Sequence, residues 1–384
     1  MKAILVKTLN DLVESGVVQL TRGKVISKRD IAACPGNFPI YSSAKDNDGK
    51  FGEYGQFLFD EELITWSVDG GGRLFHRPKH KFSVTNVGGI LRIRDRSVLD
   101  YRYLYYVLSL RHSEISFDWV RKAHPSVIKK LYQNIPVPQL PEQRRIVGIL
   151  DAAFDGIATA KANAEKNLQN ARALFESHLQ SVFAQRGKGW VEKTLEEVST
   201  TFGRGKSKHR PRNAAHLYGG KYPFIQTGDI RNADHIITEY SQTYSEAGLA
   251  QSKLWPKGTI CITIAANIAE TAILEFDACF PDSVIGVVAN PKVADVGFIE
   301  YLLGSFKARL QLLGKGSAQA NINLGTFEHE RFPFPPVTEQ KQIVDKLDTL
   351  AAETQRLASL YQRKLAALDD LKKSLLHQAF SGQL

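Results

Sequence analysis

A short stretch of this chain occurs twice. Pro136-Val137-Pro138-Gln139-Leu140-Pro141-Glu142-Gln143-Arg144-Arg145-Ile146-Val147-Gly148-Ile149-Leu150-Asp151 returns as Pro333-Phe334-Pro335-Pro336-Val337-Thr338-Glu339-Gln340-Lys341-Gln342-Ile343-Val344-Asp345-Lys346-Leu347-Asp348. Glu339 stands 197 positions after Glu142, and the prolines, Glu-Gln, Ile-Val, Leu and Asp all keep that offset. The same offset carries Tyr101 onto Phe298, and Leu174, Leu179 and Phe183 onto Leu371, Leu376 and Phe380. Two copies are too few for a solenoid, so the chain is an internal duplication.

Each copy reads as a proline-fixed segment that turns into a long helix. Proline locks φ and removes a donor, which ends the extended arrival. Pro141 suits the first helical position, and Thr338 can cap the second helix with Glu339 in its first turn. Apolar residues then recur at steps of three and four. They are Ile146, Leu150, Ala153, Ile157, Ala164, Leu168, Ala171, Phe175, Leu179 and Val182 in the first copy. In the second they are Leu347, Leu350, Thr354, Leu357, Tyr361, Leu365, Leu368, Leu371, Leu375 and Ala379. Each helix is expected to span 43 residues (141–183 and 338–380), roughly 65 Å at 1.5 Å per residue. A helix of that length with one apolar seam needs a partner in water. The other copy is the nearest one, which predicts an antiparallel intramolecular coiled coil. Apolar residues off the seam (Val147, Phe154, Phe183, Val344, Phe380) are candidates for docking other subunits or for packing against the chain's own globular parts.

The segments between the repeats read as globular. In residues 1–138, β-type runs at Phe38–Tyr41, Leu63–Val68, Phe82–Thr85 and Ile90–Ile93 alternate with Gly/Asn/Asp turns, and a helix follows over Tyr101–Arg111. Residues 188–335 repeat the frame. Lys193-Thr194-Leu195 echoes Lys7-Thr8-Leu9, Arg204-Gly205-Lys206 echoes Arg22-Gly23-Lys24, Tyr222-Pro223-Phe224 echoes Phe38-Pro39-Ile40, and Thr259–Ile264 echoes Leu63–Val68. The predicted fold class is α/β (α+β): globular segments 1–138 and 188–335, helical segments 139–187 and 336–384, related by a pseudo-two-fold. Carried past the ends, the offset maps Leu384 onto Gly187, so the two termini are expected to lie together at the base of the first globular segment.

Charge narrows the partner. The net charge is +10, and residues 1–138 carry 21 Lys/Arg against 14 Asp/Glu. Such an excess favours a polyanion. Three unpaired cysteines (Cys34, Cys261, Cys279) and the lack of a membrane-length apolar run fit a reducing cytoplasm. The densest cluster is Arg204, Lys206, Lys208, Arg210 and Arg212, in a Gly/Pro-bounded loop suited to phosphates and base edges. Its Gly205-Lys206-Ser207 mimics the end of a P-loop, but Thr200 occupies the place of the first glycine, so nucleotide binding is rejected.

Arg22, Lys24, Lys28 and Arg29 form the matching cluster, and Arg73, His76, Arg77, Lys79, His80 and Lys81 a third, read as a basic loop beside the triple glycine. His76 and His80 lack acidic or thiol companions at metal-ligand spacing, so no metal site is predicted. Gln226, Thr227, Asn267 and Asn321 carry amides and hydroxyls that can read adenine or thymine edges, and that serve equally well in turns. No catalytic constellation, helicase motif or adenine-methylase tetrapeptide is present in the sequence.

Pro136, Pro138, Glu142 and Gln143, repeated as Pro333, Pro335, Glu339 and Gln340, together with Tyr222–Ile230, resemble the specificity subunits of type I restriction–modification systems. The resemblance covers essentially the whole chain. It departs in the first globular segment, which has no Gly-Asp after its Phe38-Pro39 strand. It implies a non-enzymatic reader: two target-recognition domains, each binding half of a bipartite double-stranded DNA site, with the helix pair as ruler. Two methyltransferase subunits would dock on it and carry S-adenosylmethionine, leaving no cofactor in this chain, and motor-nuclease subunits can join for restriction. A coiled-coil scaffold for protein partners, with incidental charge, is the competing reading.

Overall fold

The computed structural model describes residues 5–43, 47–69, 71–115, 122–208, 211–265, 268–315, 322 and 324–384. The chain forms two compact units, 1–165 with 362–384, and 166–361. Each unit is therefore a globular segment plus one half of each long helix.

Unit 1 opens with β1 (Leu5–Lys7), α1 (Leu9–Glu14), β2 (Val18–Arg22), α2 (Lys28–Ala33), β3 (Phe38–Tyr41), β4 (Lys50–Tyr54), β5 (Phe59–Ser67), β6 (Leu74–Val84) and β7 (Gly88–Ile93). It continues with α3 (Tyr101–Glu114), α4 (Pro125–Leu131), β8 (Ile135–Val137) and the start of α5 (Leu140–Ala184). Six strands form one sheet in the order β2-β7-β5-β6-β3-β4, and β1 pairs with β8. The expected basic loop at 73–81 is strand from Leu74 onward. Phe75, Arg77 and Phe82 are buried there, and Arg77 is 5% exposed with its guanidinium 3.6 Å from the Tyr41 ring centroid. Burial pulls that guanidinium down to about 10. The Tyr41 and Phe75 rings, with Thr65 Oγ1 accepting from its Nε, make it a core residue despite its charge.

Unit 2 comprises β9 (Val191–Lys193), β10 (Ser199–Arg204), β11 (Tyr218–Phe224), α6 (Thr227–Asn232), β12 (Ile236–Ile237), β13 (Gln242–Tyr244), α7 (Glu246–Ala250) and β14 (Leu254–Trp255). These are followed by β15 (Ile260–Thr263), β16 (Thr271–Leu274), β17 (Ala278–Cys279), β18 (Val284–Ala289), α8 (Val296–Lys315), α9 (Leu324–Glu328), β19 (Phe332–Phe334) and the start of α10 (Val337–Ser381). Here the sheet is split into β10-β18-β15-β16-β12 and β13-β11-β17-β14, because β16 and β17 are interrupted where β6 runs through. The break at Glu275–Asp277 is fixed by Lys257, whose amide donates to Asp277 and whose ammonium pairs with Glu275.

The repeat is visible bond for bond. The Pro-x-Pro segment pairs with the first strand of its own unit, Val6↔Pro136 and Glu192↔Pro333. The glutamine of the Glu-Gln pair is fully buried in both copies. Gln143 Oε1 accepts from the Asp100 amide at 2.9 Å, while its Nε2 donates to the Val98 and Pro138 carbonyls. Gln340 does the same with Asp295, Val293 and Pro335. One side chain thus ties the loop before a helix to the proline segment at the start of the long helix. A second tie follows: the Tyr106 hydroxyl donates to Asp151, and that of Tyr301 to Asp348 at 2.6 Å. These pairings place Tyr103, not Tyr101, opposite Phe298. Tyr103 meets Phe380 edge-on as Phe298 meets Phe183, so the offset shrinks by two residues upstream of the proline segment.

Both long helices start one residue earlier than expected and run for 45 residues. Glu142 and Gln143 donate to the Gln139 carbonyl, and Glu339 and Gln340 to that of Pro336, so Pro336 rather than Thr338 heads the second helix. In unit 1 the helices are antiparallel: Arg145 reaches the Leu384 carbonyl, Phe154 lies under Lys372, and Lys161 pairs with Asp369. Leu5 pairs with Val137 just ahead of α5, and Leu384 meets Arg145 in the first turns of α5, so Leu5, the first described residue, and Leu384 sit at the same end of this unit.

Burial along α5 follows steps of seven from Gln143 through Leu150, Ile157, Ala164 and Ala171, and α10 repeats it from Gln340 through Leu347 and Thr354. Leu357 and Leu371 lie off these rows and are exposed, contrary to the seam expected from apolar spacing. The five off-seam candidates for docking are packed within their own units. Val147, Phe154 and Phe380 lie against the core of unit 1, and Phe183 and Val344 belong to that of unit 2. No helix among the described residues is long and apolar enough to cross a membrane.

Candidate nucleic-acid interface

The two Arg-Gly-Lys triplets build the same platform. Each arginine ends a strand, β2 or β10, and each glycine follows where no side chain fits. A Cβ on Gly23 would lie 2.0 Å from the Val84 carbonyl oxygen, and one on Gly205 would lie 2.3 Å from that of Phe280. The glycine amides donate to Gly88 and Val284, and the lysine amides to Val84 and Phe280. Arg22 Nε donates to the Asn86 carbonyl at 2.8 Å, and Arg204 Nε to that of Asp282 at 2.7 Å. Parallel pairing of β3 with β6, and of β11 with β17, brings the ends of those strands to the same place. Each unit therefore gathers three strand ends under a loop launched from a fixed lysine.

In unit 1 that loop and α2 border a groove of about 570 Å³ lined by Lys24, Val25, Asp30, Tyr54 and Gln56 among others. Lys24, Lys28 and Arg29 are exposed. Asp30 is occupied as a cap, accepting from the Ser27 amide and hydroxyl, which keep its carboxyl below the ordinary range. Beside Gln56, the exposed Phe57 lies under the Lys81 ammonium at 4.9 Å and edge-on to Phe38. Cations interleaved with aromatics suit a phosphate backbone and its bases.

In unit 2 the platform carries exposed Lys206 and Lys208, and the Lys206 carbonyl accepts from Ser252. Lys253, with no echo in the sequence motifs, sits 3.6 Å over the Trp255 ring, and burial followed by the nearby Lys206 lowers its ammonium pKa. Gln226 precedes α6, its amide donating to Asp229 and its Nε2 to Gln242 Oε1 at 2.7 Å, with Thr227 opening the helix. Gln242 joins the site through that bond, which only folding reveals.

Other candidates are placed differently. Arg212 makes two 2.8 Å bonds to the Asp282 carboxylate, so Arg204 and Arg212 both hold the 280–284 turn. His76 pairs with Glu62 at 2.9 Å, and Arg96 binds the same carboxyl, which these partners keep below the ordinary range. Arg73 lies over Phe75 just before β6, a strand of 11 residues away from the Val84 platform, and Lys79 is exposed midway along it. Arg210, Asn267 and Asn321 lie outside the described residues. Among the described residues no group of three or more His, Cys, Asp or Glu could hold a metal ion.

Known proteins share this arrangement. The family model for the type I restriction modification DNA specificity domain matches twice, over residues 2–169 and 187–362. A Mycoplasma pneumoniae protein described as a type I specificity subunit is 23% identical over 339 residues, covering 87% of each chain. Among solved structures, a chain from a study of type I restriction–modification complex assembly and conformational transition superposes with a TM-score of 0.76 at 17% identity, covering 100% of this chain and 99% of that one. The HsdS subunit of Thermoanaerobacter tengcongensis gives 0.61 at 17% identity, covering 96% and 97%. Specificity subunits carry no catalytic centre of their own. With both halves matched, the chain belongs to the type I restriction–modification DNA specificity family.

Proposed function

We propose that the chain selects a bipartite double-stranded DNA site, each unit reading one half. Residues 1–138 and 188–335 act as the target-recognition domains, and 139–187 and 336–384 as the helical spacers that set their separation. The observation that carries this reading is the repeated Arg-Gly-Lys platform bearing unlike loops. One is a cation-and-aromatic surface around the groove that Lys24 lines (Lys24, Lys28, Arg29, Phe57, Lys81), and the other a lysine-and-amide surface (Lys206, Lys208, Lys253, Gln226, Gln242). A common frame with unlike loops suits two different half-sites.

Two copies of a methyltransferase subunit, holding S-adenosylmethionine, dock on the repeat in the cytoplasm, and motor-nuclease subunits join for restriction. Leu174 and Leu371, one repeat apart, support two equivalent docking positions: both stay apolar while 54% and 46% exposed. A scaffold without DNA preference would not require the groove cations.

Selection from a pool of randomised duplexes tests the reading. The chain is expected to enrich a motif in two halves separated by unselected bases. Replacing Lys24, Lys28, Arg29 and Lys81 by Gln should erase one half only and flatten the salt dependence by about 3–4 in log–log slope, at about 0.9 per lost phosphate contact. A single contiguous motif, no motif, or equal loss of both halves contradicts it.

A further inference from the structure

The tyrosine–aspartate tie between recognition segment and long helix has a basic group beside it in each unit, and the two groups differ in kind. In unit 1 it is Arg102, whose Nη2 lies 2.7 Å from Asp151 and 3.0 Å from the Tyr106 hydroxyl. The corresponding position on α8 is Gly297, where even a Cβ would come within 3.1 Å of Val344 Cγ1. No arginine can stand there without displacing the α10 side chain. The basic group beside the tie is instead His235, from the loop between α6 and β12, which pairs with Glu300 rather than with Asp348.

His235 Nδ1 lies 2.8 Å from Glu300 Oε2, and its ring packs 4.9 Å from that of Tyr301, whose hydroxyl holds Asp348. Glu300 is 5% exposed, and its other oxygen accepts from the Thr271 hydroxyl at 2.9 Å. The charged groups facing His235 are thus Glu300 on α8, Asp348 on α10 and Asp234 beside it, all acidic. Asp234 is tied to α10 by Gln355 at 2.9 Å. The backbone continues the link into the sheet, since the Ile273 amide donates to the His235 carbonyl and that of Glu275 to Ile237. Residues 234–237 therefore strap the edge of the five-stranded sheet to α8 and α10.

We propose that His235 is a positioning residue whose imidazolium holds this strap, making unit 2, and not unit 1, sensitive to pH. The buried Glu300 is paired with an imidazole that also faces Asp348 and Asp234, and deprotonation of that imidazole withdraws the positive charge from among the three acids. The Glu300 hydrogen bond raises the His235 pKa above its ordinary 6.5. The stabilisation is complete below the unfolded pKa and is lost as pH rises through the higher folded one. Arg102 keeps its charge throughout. The strap begins two residues after α6, and α6 begins at Thr227, so its loosening reaches the proposed Gln226–Thr227 reading edge. That last link rests on the DNA reading above; the strap itself does not.

Hydrogen exchange on the full chain tests it, with rates corrected for the intrinsic pH dependence of exchange. Protection of the Ile273 and Glu275 amides is expected to fall about tenfold between about pH 6 and pH 9, while amides of α3 around Tyr106 stay level. His235→Asn keeps a donor and tolerates the left-handed backbone at this position (φ +62°), but carries no charge. It should give low protection at both pH values, and Glu300→Gln should remove the pH dependence as well. Level protection in the wild type, or a pH dependence retained by both variants, overturns the proposal. Exchange that follows pH while half-site preference does not would uphold the strap and count against Gln226–Thr227 as the reading edge.

Discussion

Gln143→Leu is expected to destabilise unit 1 by about 3–5 kcal/mol, the range for breaking a buried hydrogen-bonded network. The side chain is fully buried, and leucine would strand the Asp100 amide and leave the Val98 and Pro138 carbonyls without this donor. Gln340→Leu should do the same to unit 2 through Asp295, Val293 and Pro335. The neighbouring Glu142→Gln provides the contrast. Glu142 is half-exposed and, among the described residues, its carboxylate pairs with Arg145 three residues on, a solvent-screened arrangement that contributes little. Denaturant unfolding followed by exchange within each unit separates the cases. A loss for Gln143→Leu no larger than that for Glu142→Gln would show that the repeated motif is not what joins recognition segment to helix.

Leu174→Asp and Leu371→Asp should each weaken one of the two proposed methyltransferase docking positions by about a hundredfold or more, as a charge placed in an apolar anchor point does. Both leucines are exposed, so folding should be untouched. Leu360 is the control. It is 50% exposed, but its repeat position is Asn163, so it has no apolar counterpart to serve a second identical partner. Native mass spectrometry should give two partner copies for the wild-type chain and Leu360→Asp, one for each single variant, and none for the double. Two copies retained by the double variant would remove these leucines from the docking surface.

Much of this architecture was legible because duplication preserves what packing requires. Proline segments, the buried glutamines and the seven-residue spacing leave periodic marks in the chain, and the helix limits fall within a residue or two of expectation. Charged side chains are less legible, since sequence does not say what they touch. Arg22, Arg204 and Arg212 look like free cations and are bound to turn carbonyls or Asp282, while His76 is held by Glu62. Arg77 is drawn into the core by the Phe75 ring two residues before it and by the Tyr41 ring, distant in sequence. Conversely Lys253 and Gln242 enter the candidate interface through tertiary neighbours that no local motif announces. Leu371 shows the same limit on apolar residues: its spacing fits a seam, and only the rotation of the helix leaves it outside.

The most direct test of two readers held at a fixed separation is binding to the selected duplex after about five base pairs, half a helical turn, are inserted between its halves. Affinity is expected to fall to the non-specific level, on the order of a thousandfold or more, with every recognised base still present. Affinity unchanged by the insertion would contradict it.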